Sequence, residues 1–223
     1  MSSVRLTRMG GEKRAEKRIR AHYHSLVYPL IILAAGDSTR MGRPKAVLPA
    51  PDGVPFVVRI VRSFEEAGIG EVIVVTGRHH AAIEAVLAAA ALTRPPRLVR
   101  NEDPDRGQLS SIWVGMDAMT GDPAALLVTL VDVPMVTPAT ISAVLAAWRR
   151  THAPIVRPAV GTQHGHPVLF ARQLFGELRS APLDAGAKTV VRAYASAIVN
   201  VEVDDRGCLV DVDTPDESRR LVT

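Results

Sequence analysis

Between Leu33 and Lys45 the chain reads Leu33-Ala34-Ala35-Gly36-Asp37-Ser38-Thr39-Arg40-Met41-Gly42-Arg43-Pro44-Lys45, with two glycines, an adjacent hydroxyl pair and three cations in thirteen residues. Glycines let backbone approach a ligand closely, and successive amide N–H groups there can converge on an anion. Arg40 offers a planar fork for phosphate oxygens, and Lys45 adds a point charge at a separate position. The outline is that of a phosphate cradle. It is neither G-x-x-x-x-G-K-[ST] nor G-x-G-x-x-G, so P-loop ATPases and dinucleotide-binding dehydrogenases lose their main support. On composition alone it reads equally as a basic, glycine-containing loop between a strand and a helix.

Other candidates are scattered along the chain. Asp132 follows the apolar run Ala125–Val131 and precedes Pro134, where a carboxylate serves either as a metal ligand or as a turn or N-cap residue. Ser110 and Ser111 follow Gly107 and read either as ligand contacts or as helix N-caps. His79 and His80 adjoin, and His164 and His166 flank Gly165, yet neither spacing supplies the three or four converging ligands of a zinc site. The single cysteine, Cys208, permits no internal disulfide, and its Arg206-Gly207 context reads as a surface turn.

The elements that must position these residues alternate. Apolar, β-branched runs at Leu30–Ala35, Val72–Thr76, Leu98–Arg100, Ala125–Val131, Pro154–Val156, Pro167–Phe170 and Ile198–Val203 read as strands. Between them, Phe56, Val57, Ile60, Val61 and Phe64 recur at helical steps, as do Ile83, Val86, Leu87 and Ala90, and later Ile141, Val144, Leu145 and Trp148. Continuous apolar runs are what strands buried on both faces require. This alternation predicts an α/β fold with a mostly parallel sheet between helices, and ligands at the strand C-termini.

The chain has 223 residues, 47% hydrophobic and 22% charged, which suits one domain and excludes a disordered chain. Apolar stretches fall well short of the roughly 18 residues that a membrane span needs. The net charge is +4, but residues 1–28 hold seven basic against two acidic residues, so the rest carries −1. The expected organisation is therefore a basic extension over 1–28 and one domain over 29–223. That extension lacks the apolar core of a secretory signal, and acidic residues interrupt any transit-peptide pattern. A cytoplasmic protein with neither a nucleic-acid nor a membrane partner is expected.

Leu-Ala-Ala-Gly-x-Ser-x-Arg-Met-Gly-x-Pro-Lys resembles the signature of the nucleotidyltransferase family that includes the molybdenum cofactor cytidylyl- and guanylyltransferases. Further matches run from Asn101-Glu102-Asp103 through Gly107–Ile112, Val131–Pro134, Gly165–Phe170 and Asp184–Lys188 to Val212–Asp216. The resemblance implies a Rossmann-like three-layer αβα nucleotidyltransferase fold. It places the NTP on Leu33, Ala34, Ala35, Gly36, Ser38, Arg40, Gly42, Lys45, Thr76, Asn101 and Asp132, with Arg40, Lys45 and Asp132 as the catalytic set. It assigns the acceptor to Ser110, Ser111, Gly165, His166, Pro167 and Lys188, and Mg²⁺ to Asp132 and Asp213, with Asp211 the weaker alternative. Two departures bear on the acceptor: Val133 stands where cytidylyltransferases often have Gln, and Lys188 where they often have Arg.

The implied reaction is attack on the α-phosphate by the acceptor's own phosphate, with pyrophosphate leaving. Both reactants are anions, so the protein must position them and neutralise charge. Members with Leu-Ala-Ala-Gly tend to use CTP and those with Leu-Ala-Gly-Gly GTP, and the Ala35 methyl would occupy volume that a purine needs. The expected function is CMP transfer from CTP to molybdopterin, with a molybdenum hydroxylase or its chaperone as a protein partner. The alternatives are guanylyl or other nucleotidyl transfer to another phosphorylated acceptor, or a nucleotide-binding accessory protein that delivers cofactor.

Overall fold

The computed structural model describes residues 28–36 and 43–209. Its strands are β1 (Leu30–Ala34), β2 (Val72–Thr76), β3 (Arg97–Arg100), β4 (Ala125–Leu130), β5 (Ile155–Val160), β6 (Gln163–His164), β7 (Val168–Ala171) and β8 (Ile198–Glu202). Its helices are α1 (Phe56–Glu66), α2 (His80–Ala89), α3 (Gln108–Asp117), α4 (Pro138–Thr151), α5 (Phe175–Ser180) and α6 (Lys188–Ala193). The sheet runs β3-β2-β1-β4-β7-β5, with β6 and β8 also paired to β5. β1, β2, β3 and β4 are mutually parallel, and β8 is parallel to β5. β7 is antiparallel to both of its neighbours, so β5 points the same way as β4. The α/β, mostly parallel architecture expected from the sequence is what forms.

Alternate residues of each central strand feed two separate cores. Leu30, Ile32 and Ala34 pack with Val57, Ile60, Val61 and Phe64 of α1, Ile83 and Leu87 of α2, and Ile141, Val144 and Trp148 of α4. Ile31 and Leu33 face the other way, onto Leu109, Ile112 and Met116 of α3, Leu178 of α5 and Val190 of α6. Both faces of β1 are therefore dry, which is why Leu30–Ala34 is continuously apolar. Gly115 lets α3 lie close to the sheet, because a Cβ there would meet Ile31 Cγ2 at 2.7 Å. Among the described residues no helix is long and apolar enough to cross a membrane.

β5 extends to Val160, beyond the predicted end at Val156, because Arg157 and Pro158 break its apolar run without breaking its pairing. Residues 155–159 of β5 pair in register with β8. Pro158 falls where its other neighbour changes from β7 to β6, so its missing N–H interrupts little of the ladder. β6 and β7 are one return strand, divided at Gly165-His166-Pro167, and the His166–Pro167 peptide is cis.

The segment after β8 is tied down at several points. Asp205 Oδ2 accepts from Thr137 N at 2.9 Å, Thr137 Oγ1 at 2.8 Å and Thr140 Oγ1 at 2.6 Å, while Oδ1 accepts from Gly207 N at 2.9 Å. Cys208 O then accepts from His166 N at 2.8 Å. A Cβ on Gly165 would land on that carbonyl and lie 2.8 Å from the Cys208 sulfur. Cys208 is fully buried, contrary to the surface turn expected from its sequence context. A short 3₁₀ turn does form at Arg206–Cys208, but Asp205 and Gly207 fold it inward against α4 and the β6–β7 junction.

Tyr28, assigned from the sequence to the basic extension, is also core. It is 3% exposed, sits edge-on to Trp148 with ring centroids 5.5 Å apart, and lies under Arg149. Tyr28→Ala should lower the urea unfolding midpoint by an amount equivalent to about 3–5 kcal/mol. Tyr28→Phe should leave the midpoint unchanged or raise it, since the buried hydroxyl has no hydrogen-bond partner. Equal losses for both variants would contradict this packing.

Burial pushes the Cys208 thiol up to about 11. An unfolded thiol ionises near pH ~8.5, so the folded state keeps the proton that the unfolded state loses. Stability from this group is intact below that pH and drains away as pH rises toward about 11. The wild-type chain should therefore lose stability over this window more steeply than Cys208→Ala in urea titrations. Gly165→Ala, which drives a methyl into the Cys208 carbonyl, should cost about 1–3 kcal/mol and expose the thiol to iodoacetamide.

Candidate functional site

Parallel pairing of β1 with β4 brings the ends of both strands together at one sheet edge. Leu33 lies opposite Leu130, and Val131 N donates to Leu33 O at 3.1 Å. The chain leaves β1 through Ala35 and Gly36, and leaves β4 through Val131 and Asp132. Between these exits lies a cleft of about 310 Å³, lined also by Lys45, Gln108 and Ser111. Gly77 lets β2's end lie close against Ala35, because a Cβ there would meet Ala35 O at 2.6 Å.

The cleft centres on an ion pair. Lys45 Nζ donates to Asp132 Oδ2 at 3.1 Å, and the two side chains are 17% and 24% exposed. Asp132 Oδ1 is buried and has no hydrogen-bond partner. A carboxylate oxygen in that state costs free energy unless a donor or cation meets it. A divalent metal fits that oxygen, with phosphate oxygens and water as its remaining ligands. Among the described residues no group of three or more His, Cys, Asp or Glu could hold a metal without such help. Asp213 and Asp211 lie outside the described residues, as do Ser38, Arg40 and Gly42.

Other candidate residues of the nucleotide set are present but engaged internally. Ala34 packs in the core on the opposite face of the sheet from Leu33. Thr76 is fully buried, its hydroxyl donates to Val99 O at 3.1 Å and lies 2.7 Å from His80 Nδ1. With its one proton on Val99, the hydroxyl accepts from Nδ1–H. Asn101 Nδ2 donates to both Ser110 Oγ at 2.8 Å and Ser111 Oγ at 2.9 Å, and its Oδ1 accepts from Asp103 N. Neither serine is an N-cap. Gly107 holds that position with no side-chain bond, its φ of 98° turning the chain into α3, and both serines lie inside the first turn. Ser110 Oγ donates to Gly107 O, whereas Ser111 lines the cleft.

A second cavity of about 420 Å³ adjoins the first, and Gln108 and Leu130 line both. It gathers Gly165, His166 and Lys188 of the expected acceptor set, with Pro167 buried behind them. Burial holds the His166 pKa below its ordinary value, against smaller opposing effects of the Val128 carbonyl and the Asp132 charge. The ring is therefore neutral at pH 7. Burial, then the charge of Arg157, likewise lowers His164. No acidic side chain lines this cavity among the described residues, while Arg157 and Lys188 both do. The cavity suits an anion or an electron-rich ligand.

Gln108 and Arg157 escape the sequence reading, and His164, weighed there only as a metal ligand, lines the second cavity. One signal was available: Arg157 is a lone charge inside Ile155-Val156-Arg157-Pro158-Ala159-Val160, a run otherwise fit for a buried strand. Gln108 had none, since only the fold reveals that it lines two adjoining cavities.

The model of the MobA-like NTP transferase domain matches residues 30–198. Nicotine blue oxidoreductase of Paenarthrobacter nicotinovorans is 32% identical over 200 residues, covering 86% of this chain and 95% of its own. A protein of Mycobacterium avium (strain 104) named "probable molybdenum cofactor guanylyltransferase" is 29% identical over 199 residues, covering 86% and 93%. The crystal structure of Rv0371c from Mycobacterium tuberculosis H37Rv superposes with a TM-score of 0.70 at 29% identity, covering 87% of this chain and 97% of that one. A manganese complex of the same protein gives 0.68 with the same identity and coverage. The β1 exit, Lys45, Asp132 and strands β1 to β7 all fall within the matched span, and the chain belongs to the MobA-like NTP transferase domain family.

Proposed function

We propose that this nucleotidyltransferase moves CMP from CTP to the phosphate of molybdopterin and releases pyrophosphate. The observation that carries the reading is the Lys45–Asp132 pair with its bare Oδ1, set in a cleft that shares Gln108 and Leu130 with a second cavity. The first cleft would take the nucleotide and the second the acceptor. Lys45, together with Arg40 outside the described residues, would hold the triphosphate. A Mg²⁺ at Asp132, with Asp213 as the second carboxylate, would supply charge neutralisation on the phosphates. A manganese complex among the structural relatives supports a divalent ion.

The protein's own contribution is electrostatic and positional. Lys45 exchanges its bond to Asp132 for one to phosphate, so the cation follows the charge that grows on the leaving group. Among the described residues no acidic side chain lines the second cavity, so an acceptor phosphate meets no repulsion from them. The apolar wall of Leu33, Leu130 and Val131 limits water, which would compete with that phosphate as nucleophile.

Ala35 lines the nucleotide cleft, which supports the cytidine preference by volume. The Mycobacterium avium relative is named for guanylyl transfer, so GTP is the alternative substrate. The Paenarthrobacter relative is named an oxidoreductase, and a nucleotide-binding role without turnover is the third reading. A pyrophosphate-release assay with each NTP and molybdopterin separates them: release with CTP supports the proposal, release with GTP alone replaces the base, and release with none removes transfer.

In that assay Asp132→Asn should cut turnover on the order of 10²–10³-fold at unchanged fold stability. Lys45→Ala should instead raise the CTP KM roughly 10- to 100-fold, the equivalent of one charge-assisted hydrogen bond. Kinetics indistinguishable from wild type in both variants would contradict the assignment of the cleft. Ala35→Gly should narrow the preference for CTP over GTP by an amount worth about 1–3 kcal/mol, without inverting it. A wild-type chain that already prefers GTP would overturn the volume argument.

A further inference from the structure

Asp132 sits on the loop of residues 131–137, which leaves β4 and enters α4. Val133 and Val136 of that loop are buried. Apolar burial anchors the loop but is non-directional, so it does not fix where the Asp132 carboxylate points. The Lys45 bond does not fix it either, because under the proposed transfer Lys45 gives that bond up to phosphate. Directional restraint comes from the segment after β8. Asp205 Oδ2 accepts from Thr137 N at 2.9 Å, Thr137 Oγ1 at 2.8 Å and Thr140 Oγ1 at 2.6 Å. Asp205 Oδ1 accepts from Gly207 N at 2.9 Å, and a Cβ on Gly207 would strike the Met135 carbonyl. The end of the exit loop is therefore held against residues 205–207 at two points, with no room for a side chain between Met135 and Gly207.

These bonds exceed what the start of α4 requires. That helix already has Pro138 in its first turn and a cap of its own, Thr137 Oγ1, which accepts from Thr140 N at 3.3 Å. Three donors on one carboxylate oxygen, from residues 65 and 68 positions away, instead tie the loop to a distant part of the chain. We propose that Asp205 is a positioning residue: through Thr137 and Thr140 it sets the loop that carries Asp132, and with it the bearing of the Asp132 carboxylate on a divalent metal. That this carboxylate takes a metal rests on the transfer reading above. Mg²⁺ demands near-octahedral geometry, so a protein ligand on a loose loop binds it weakly. Groups that orient a ligand without touching the metal commonly set metal affinity by an order of magnitude or more.

Two readouts on the full chain test this. Hydrogen–deuterium exchange without nucleotide or metal reports the loop, and Mn²⁺ affinity by electron paramagnetic resonance with CTP reports the carboxylate. Asp205→Ala should speed exchange in residues 131–136, leave β1 unchanged, and weaken Mn²⁺ binding roughly 10-fold. Calorimetric CTP affinity in EDTA should stay at the wild-type value, which separates positioning from a general loss of fold. Thr140→Val, which removes one donor at nearly constant shape, should reproduce part of both effects, and Thr140→Ser, which keeps the hydroxyl, should not. If Asp205→Ala does not fold, that pair of variants carries the same comparison. Asp204→Asn, the same change of charge on the exposed neighbour, should match wild type. Unchanged exchange in Asp205→Ala, or faster exchange with wild-type Mn²⁺ affinity, would overturn the proposal. So would equal Mn²⁺ losses in Asp204→Asn and Asp205→Ala, since net charge alone would then be the cause. Faster exchange in Asp205→Ala, in a chain whose wild type binds no Mn²⁺ with CTP, would keep the clamp and remove the transfer reading. Mn²⁺ binding lost in Asp132→Asn but intact in Asp205→Ala would do the reverse.

Discussion

Everything in this molecule that bears on chemistry converges on one carboxylate held half-satisfied. Asp132 is 87 residues from Lys45 in sequence and 3.1 Å from it in space, with one oxygen bonded and the other buried bare. A partly buried ion pair is a weak source of stability, because desolvation offsets most of the attraction. An orphaned oxygen beside it makes the arrangement worse as a structural device. Under the proposed transfer the same arrangement would serve as a receptor, with Asp132 for a metal and Lys45 for phosphate.

The fold exists to hold that pair in register. β1 and β4 must be parallel neighbours for Gly36 and Asp132 to emerge side by side, and both faces of β1 must be dry for the pairing to be fixed. The reversal at β7 then turns the sheet's remaining edge into a second workspace. β7 faces Val168 and Phe170 into it, β5 brings Arg157, and the Asp205 hydrogen bonds fold Cys208 against Gly165 to close its end. Among the described residues the charges follow the same division: Asp132 and Lys45 line the first cleft, and Arg157 and Lys188 line the second.

How far this was legible from sequence differs by residue for physical reasons. β1 and β4 announce themselves because burial on both faces demands unbroken apolar runs, and Asp132 is conspicuous as the charge that ends one. α1 is equally plain from the spacing of Phe56, Val57, Ile60, Val61 and Phe64. The antiparallel turn of β7 has no local signal, since its pairing partners lie far along the chain. Cys208 was misplaced for the same reason: a turn sequence fixes the local bend and says nothing of what packs over it. Ser110 and Ser111 carried two readings because a helix start attracts hydroxyls whether or not a ligand is near, and Gly107 took the capping position. Arg157 could be seen but not understood until β8 brought Asn200 to it.

The measurement that reaches the centre of this account is Mn²⁺ binding by electron paramagnetic resonance, with CTP present, on the wild-type chain and on Asp132→Asn. The exchange of one oxygen for nitrogen preserves shape and removes the charge, leaving the fold as its own control. The account predicts tight Mn²⁺ binding in the wild-type ternary complex and its loss in the variant. Mn²⁺ bound with equal affinity by both proteins would contradict it.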